Sequence, residues 1–216
     1  MSDYIDGPWY AQRGEDRKIM EYLKANYSNG FYVDIGAWEP TLDSVTKHFY
    51  DRGWSGINVE PIPYYFERIV AERPRDINLD CAISNVNGRS TITHYRNSGL
   101  STFHEQYRHE FRERFPSEEI EVETRTLLSI FEEFVPSEMR IDFLKIDVEG
   151  WEGHVLVGND WERYRPELVV VEATKPGTEG ANAVPTWDEW EHILLDANYK
   201  LCEFDGLNRW YQPRRR

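Results

Sequence analysis

Several short runs in this chain are apolar from end to end instead of alternating. Phe31-Tyr32-Val33-Asp34-Ile35, Gly56-Ile57-Asn58-Val59-Glu60, Ile141-Asp142-Phe143-Leu144-Lys145-Ile146-Asp147 and Glu167-Leu168-Val169-Val170-Val171-Glu172 all have this character. A strand with hydrophobic side chains on both faces must be covered on both, which is the habit of parallel sheets. Between the runs lie segments at helical spacing. Leu42, Val45 and Phe49 mark one helix, and Ile62, Phe66, Ile69 and Val70 a second. Others are expected over residues 127–134, through Val155 and Leu156, and over 187–197, where Thr186 and Glu189 have the spacing of a capping box. Strands separated by helices predict an α/β fold with a mostly parallel sheet and helices on both faces.

Further strands are expected at 77–83, at 90–95 as a hairpin arm after the turn Asn87-Gly88, and at 120–124. Two closing strands, 201–204 and 209–211, flank the turn Asp205-Gly206. No repeat or linker interrupts the pattern, so residues 1–216 read as one domain. Residues 97–117 break the rhythm; they read either as a lid over a cleft or as a solvated helix beside a loop.

With 40% hydrophobic residues, 14% of the total being aromatic, the chain has enough apolar surface for a packed core. Its charges sum to 25 − 39 = −14, which disfavours nucleic acid and anionic membrane as partners. The two cysteines, Cys81 and Cys202, form no disulfide framework and no CxxC pair. Residues 1–6 lack the features of a signal peptide, and no apolar run reaches the ~20 residues of a membrane span, so a cytoplasmic protein is expected. The Arg214-Arg215-Arg216 tail reads as a solvated end.

In an open α/β sheet, ligands bind outside the carboxyl ends of the strands. The first strand ends in Asp34, Gly36 and Ala37, where glycine admits close backbone approach and the acid accepts hydrogen bonds. Glu60 ends the second strand 26 residues after Asp34, a spacing suited to holding ribose hydroxyls of an adenosine-type cofactor. Trp38 and Glu39 stand where a pyrophosphate-binding loop needs glycines, which argues against an NAD-dependent oxidoreductase. Three acids, Asp34, Glu39 and Glu60, favour a cationic ligand; S-adenosylmethionine, with its sulfonium and ammonium, fits better than NAD. Asp80 and Cys81, at the third strand end, lie where an adenine edge would be read. The densest polar cluster is Lys145-Ile146-Asp147-Val148-Glu149-Gly150-Trp151-Glu152-Gly153-His154. Asp147 and Glu172, at neighbouring strand ends, suit either a hard divalent cation such as Mg²⁺ or a general base, and His154 is an alternative base. His94 and His104, bordering the lid segment, are further candidates, while His48, His109 and His192 read as surface or packing residues. The competing reading for these acids is helix capping.

The segments Tyr10-Ala11-Gln12-Arg13-Gly14-Glu15-Asp16, Val33-Asp34-Ile35-Gly36-Ala37, Gly53-Trp54-Ser55-Gly56 leading to Glu60-Pro61, and Lys145-Ile146-Asp147-Val148-Glu149-Gly150-Trp151-Glu152 together resemble the FkbM-type methyltransferases, from about Tyr10 to Tyr211. The resemblance implies a class I methyltransferase Rossmann-like sheet with an antiparallel last strand. It implies S-adenosylmethionine-dependent O-methylation of a sugar, glycan or natural-product hydroxyl. By position, Asp34 and Gly36 would face the methionine part of the cofactor, Glu60 the ribose, Asp80 and Cys81 the adenine. Asp147 and Glu149 would face the transfer site. Two other readings stay open: a non-catalytic adenosine-cofactor binder and, more distantly, a metal-dependent hydrolase using Asp147, Glu149 and Glu172.

Overall fold

The computed structural model describes residues 7–24, 29–96 and 99–214. The leader reading of residues 1–6, the first two residues of the 97–117 segment and the last two arginines of the tail fall outside the described residues. In chain order the elements are α1 (Glu15–Leu23), β1 (Phe31–Ile35), α2 (Lys47–Asp51), β2 (Ser55–Val59), α3 (Pro63–Glu72), β3 (Ile77–Leu79), β4 (Ala82–Ile83) and β5 (Gly88–Tyr95). They continue with β6 (Ser101–Thr102), α4 (Glu105–Arg112), β7 (Ser117–Arg125), α5 (Leu127–Phe134), β8 (Phe143–Ile146) and α6 (Glu152–Val157). The last are β9 (Val169–Glu172), α7 (Glu191–Asp196), β10 (Tyr199–Phe204) and β11 (Asn208–Pro213).

The apolar runs build a seven-stranded sheet in the order β10-β11-β9-β8-β1-β2-β3. Strands β3, β2, β1, β8 and β9 pair in parallel, and β11 runs antiparallel to both β9 and β10. This is the α/β sheet expected from the sequence, with the last strand reversed. Both faces are covered. Val33, Ile35, Leu144, Ile146, Val169 and Val171 pack under α5, α6 and α7 with Ile130, Phe131, Leu156 and Leu194. On the opposite face Tyr32, Phe143, Val170, Trp54 and Trp210 meet Ile19 and Met20 of α1 and Phe49 of α2. Each large side chain so buried contributes about 1.5–3 kcal/mol, which is why runs apolar on both faces stay in the sheet interior.

A second, four-stranded sheet, β4-β7-β5-β6, was not expected. The predicted 77–83 strand is in fact split between the two sheets: β3 pairs with β2, whereas β4 pairs with β7. The chain changes sheets at Asp80 and Cys81, and the run stays apolar because both halves are packed. Strand β5 is an arm as predicted, but its partners are β7 and β6, not the strand before it.

Two helices are shorter than their spacing suggests. The stretch around Leu42 is held open by Pro40 and by Asp43 at φ 54°, leaves Leu42 60% exposed, and gives a helix only from Lys47. Thr186 makes no side-chain cap; residues 187–189 form a 3-10 turn, and Trp190, at φ −134°, delays α7 to Glu191. By contrast α5 spans the predicted 127–134, and Thr126 caps it by accepting the Ser129 N–H.

Candidate functional site

The strand order reverses direction between β1 and β8, so the crevice outside their carboxyl ends is where this topology places a ligand. Asp34 and Lys145 are register partners across that junction. Lys145 Nζ donates to the Gly36 carbonyl at 2.7 Å and pairs with Asp34 Oδ1 at 3.3 Å and Asp147 Oδ2 at 3.5 Å. Burial works against its charge, but Asp34 and Asp147 outweigh burial and hold the ammonium above its ordinary value. Asp34, 1% exposed, accepts the Thr46 hydroxyl on its other oxygen at 3.0 Å. The turn after β1 requires glycine: Gly36 has φ 79°, and a Cβ there would lie 1.9 Å from the Asp147 carbonyl. The N–H groups of Gly36 and Ala37 both donate to the Val59 carbonyl at 3.1 Å, tying this turn to β2.

Next along the crevice is Glu60, 5% exposed. Its carboxylate accepts the backbone N–H groups of Trp38 and Ile62, each at 2.9 Å, and so fixes the turn after β1 against the start of α3. Burial pushes its pKa up to about 7, against the two N–H donors and Lys145, which favour the charged form. Each oxygen retains a lone pair for a hydroxyl donor. Beyond it Cys81, Ala82, Ile83 and Ile92 form an apolar slot roofed by Leu100 and Phe103 of the second sheet and its connection. Burial raises the Cys81 thiol to about 12, which makes it a wall of that slot and not a nucleophile.

On the other side of Lys145 the carboxylates of Asp147, Glu149 and Glu172 converge, offering oxygens within 4.8 Å of one another. Glu149 has φ 54°, in the left-handed region uncommon for a side chain of this kind, and its carbonyl accepts the Thr102 hydroxyl at 2.7 Å. Gly150 follows at φ 92°, pressed against the Tyr107 ring of α4. Glu152 closes the loop by accepting the N–H groups of Val148 and Gly150 at 3.2 and 3.0 Å, and burial lifts its pKa to about 7. Burial, reinforced by neighbouring acids, holds Glu149 and Glu172 well above the usual carboxylate range. One buried oxygen on each, Oε2, has no hydrogen-bond partner.

A single cavity of about 370 Å³ joins these parts. Of the residues singled out in the sequence, Asp34, Gly36, Ala37, Glu60, Cys81, Asp147, Glu149 and Glu172 line it. Asp80 does not; it is exposed on the turn between the two sheets. His154 does not either: its ring stacks on Trp151 at 3.5 Å between centroids and 2° between planes, while Trp151 itself faces the cavity. His94 is bound to the Ser101 hydroxyl at 2.9 Å, and His104 stacks on Tyr107 at 4.2 Å. His48, one of the three set aside as surface or packing residues, is fully buried against Trp9.

Sequence reasoning missed Lys145 as a cavity residue, although it begins the densest polar motif. Gln12, part of the first family-like segment, lines the cavity as well, and sequence reasoning missed Phe103 and Thr178. Nothing local in their surroundings marks the last two.

The family model described as the methyltransferase FkbM domain matches residues 34–201. Among curated proteins the chain is 44% identical over 52 residues to an RNA-directed RNA polymerase of Eriocheir sinensis reovirus (isolate China/905), a match covering 22% of this chain and 4% of that protein. The chain thus spans only a small fraction of that relative's length. Among solved structures it resembles a TehB-like SAM-dependent methyltransferase from Corynebacterium glutamicum, with 8% identity, coverage of 96% of this chain and 90% of that one, and a TM-score of 0.48. It also resembles the Burkholderia thailandensis 1,6-didemethyltoxoflavin-N1-methyltransferase with bound 1,6-didemethyltoxoflavin and S-adenosylhomocysteine, with 12% identity, coverage of 93% and 77%, and a TM-score of 0.43.

Proposed function

Since the chain belongs to the FkbM methyltransferase family, we propose that it is an S-adenosylmethionine-dependent O-methyltransferase acting on a hydroxyl of a sugar, glycan or related small molecule. The observation that carries this reading is the continuity of one cavity from the apolar slot, past Glu60, to the carboxylates of Asp147, Glu149 and Glu172. The lining suits the cofactor. Cys81, Ala82 and Ile83 would flank the adenine, Glu60 would accept the ribose hydroxyls, and the Gly36 turn leaves no side chain between backbone and ligand. Acids around the crevice favour a ligand that carries an ammonium and a sulfonium. When bound, S-adenosylmethionine supplies a methyl group already activated for displacement by its sulfonium.

The protein then has to hold an acceptor oxygen in line and take its proton. Orientation of this kind supplies about 7–11 kcal/mol of barrier reduction, and a positioned base about 10²–10⁴-fold. Glu149 and Asp147 are the residues we assign to the proton. Both carboxylates face the cavity side by side, and Glu149 keeps one oxygen, Oε2, without a hydrogen-bond partner. The Trp151 ring, backed by His154, offers a flat apolar surface for a sugar face. His154 supports that ring and takes no proton from the acceptor.

The same donor set fits a hard divalent cation. Three carboxylates converge, and Glu172, 8% exposed, keeps a buried oxygen without a partner. A cation there would be held by Asp147, Glu149 and Glu172 and would lower the pKa of a hydroxyl bound to it.

Titration calorimetry with S-adenosylhomocysteine, followed by assay of labelled methyl transfer to a panel of sugars and phenols, tests the reading. Binding plus label in an ether product supports it. Binding with no transfer to any acceptor points to the non-catalytic binder, and absence of binding removes the reading altogether.

A further inference from the structure

Resting on that reading, we propose that Lys145 is a positioning residue that locks the cofactor turn and the transfer-site acid into one unit. An ammonium has three N–H groups and no acceptor. Three acceptors surround this one: the Gly36 carbonyl at 2.7 Å, Asp34 Oδ1 at 3.3 Å and Asp147 Oδ2 at 3.5 Å. The side chain is 12% exposed, so its charge acts in a poorly solvated place. One N–H is committed to the Gly36 carbonyl, and the charge is shared with the Asp34 and Asp147 carboxylates, although the side chain also borders the cavity. Its effect runs through the groups it touches.

Those groups belong to different working parts. Gly36 forms the turn after β1, Asp34 is the last polar side chain of β1, and Asp147 follows β8. The two strands are already in register, with Asp34 opposite Lys145 and the Asp147 N–H donating to the Ile35 carbonyl at 3.0 Å. The backbone ladder therefore sets spacing along the strands, while the ammonium sets where the carbonyl and the two carboxylates point. Without it, two like charges would face each other across the junction, and the Gly36 carbonyl would lose its donor. Arginine would not substitute, because a planar guanidinium cannot direct its N–H groups along three diverging lines from this depth.

The test uses the full chain, S-adenosylhomocysteine as probe, and the variants Lys145→Met and Lys145→Arg. Calorimetry gives the dissociation constant, its stoichiometry reports any irreversibly misfolded fraction, and circular dichroism on the same samples gives the folded fraction by which the constant of a reversibly unfolding variant is corrected. Hydrogen exchange read at the amides of 36, 37 and 147 gives a local measure that a uniformly destabilised protein would not single out. The expected result is S-adenosylhomocysteine binding weakened about tenfold or more in both variants, the loss typical of a charge-assisted contact. Exchange at those three amides should rise about tenfold, while amides of α5 stay as in the wild type. Lys145→Arg keeps the charge and so keeps the test usable if Lys145→Met does not fold. Wild-type affinity in either folded variant, or exchange that rises evenly across the sheet, overturns the proposal and leaves the methyl-transfer reading standing. A wild-type chain that ignores S-adenosylhomocysteine overturns both.

Discussion

The Thr102 hydroxyl donates to the Glu149 carbonyl at 2.7 Å, so the second sheet holds the backbone of a cavity acid in the left-handed region. Thr102 is fully buried and also accepts the His104 N–H at 3.0 Å. Thr102→Val keeps the shape and removes the donor. We expect a stability loss of about 1 kcal/mol, the usual value of one hydrogen bond, from urea unfolding. Methyl transfer should fall about tenfold with S-adenosylhomocysteine affinity unchanged, because the bond orients Glu149 and touches no cofactor residue.

Glu60 gives a pH dependence of known sign. Its pKa in the folded chain is raised from 4.5 to about 7, so between those values the folded state holds a proton that the unfolded state has released. Stability from this group is fully present below about 4.5 and is lost as pH rises towards 7, by about 3 kcal/mol at most. Unfolding free energy measured at pH 5, 6, 7 and 8 should therefore fall less steeply in Glu60→Gln than in the wild type. S-adenosylhomocysteine affinity should run the other way and strengthen from pH 6 to 8 in the wild type, since an ionised Glu60 is the better acceptor for ribose hydroxyls. Glu60→Gln should lose that pH dependence.

His154→Phe keeps an aromatic ring stacked on Trp151 and removes every titratable atom. Turnover within about threefold of the wild type is expected. A drop of about 10²–10⁴-fold would instead make His154 the general base.

Chelation tests the carboxylate group. If Asp147, Glu149 and Glu172 hold a divalent cation, EDTA should abolish transfer and Mg²⁺ restore it. Mn²⁺ binding followed by electron paramagnetic resonance should disappear in Glu172→Gln. Turnover that survives EDTA would leave these acids to proton transfer alone.

Gly36→Ala tests the turn. The added Cβ would meet the Asp147 carbonyl at 1.9 Å from a φ of 79°, so backbone must shift on both β1 and β8. We expect a loss of roughly 2 kcal/mol or more in urea unfolding, together with loss of S-adenosylhomocysteine binding.

What the sequence made legible follows from what is local. Runs such as Leu168-Val169-Val170-Val171 declare a strand covered on both faces wherever they fall, and Asp34 and Glu60 declare themselves by standing at the ends of such runs. The segment 127–134 declares its helix, whereas the Thr126 cap is seen only in the structure. The Lys145 contacts do not declare themselves, because they depend on β1 lying beside β8, with Gly36 and Lys145 separated by 109 positions in sequence. Strands 90–95 and 120–124 are legible as strands, but their pairing as β5 and β7 is not, because it joins distant segments across a charged, half-exposed surface, as in Arg89 with Glu121 and Arg96 with Glu118. The 77–83 run misled for a different reason: hydrophobicity reports burial, and burial continues through a change of sheet.

That change of sheet takes only Asp80 and Cys81, between the last pairing of β3 and the first of β4. A connection so short keeps the start of the second sheet beside the edge strand of the first. Ala82 and Ile83, which wall the apolar slot, are thereby held close to the edge strand of the main sheet.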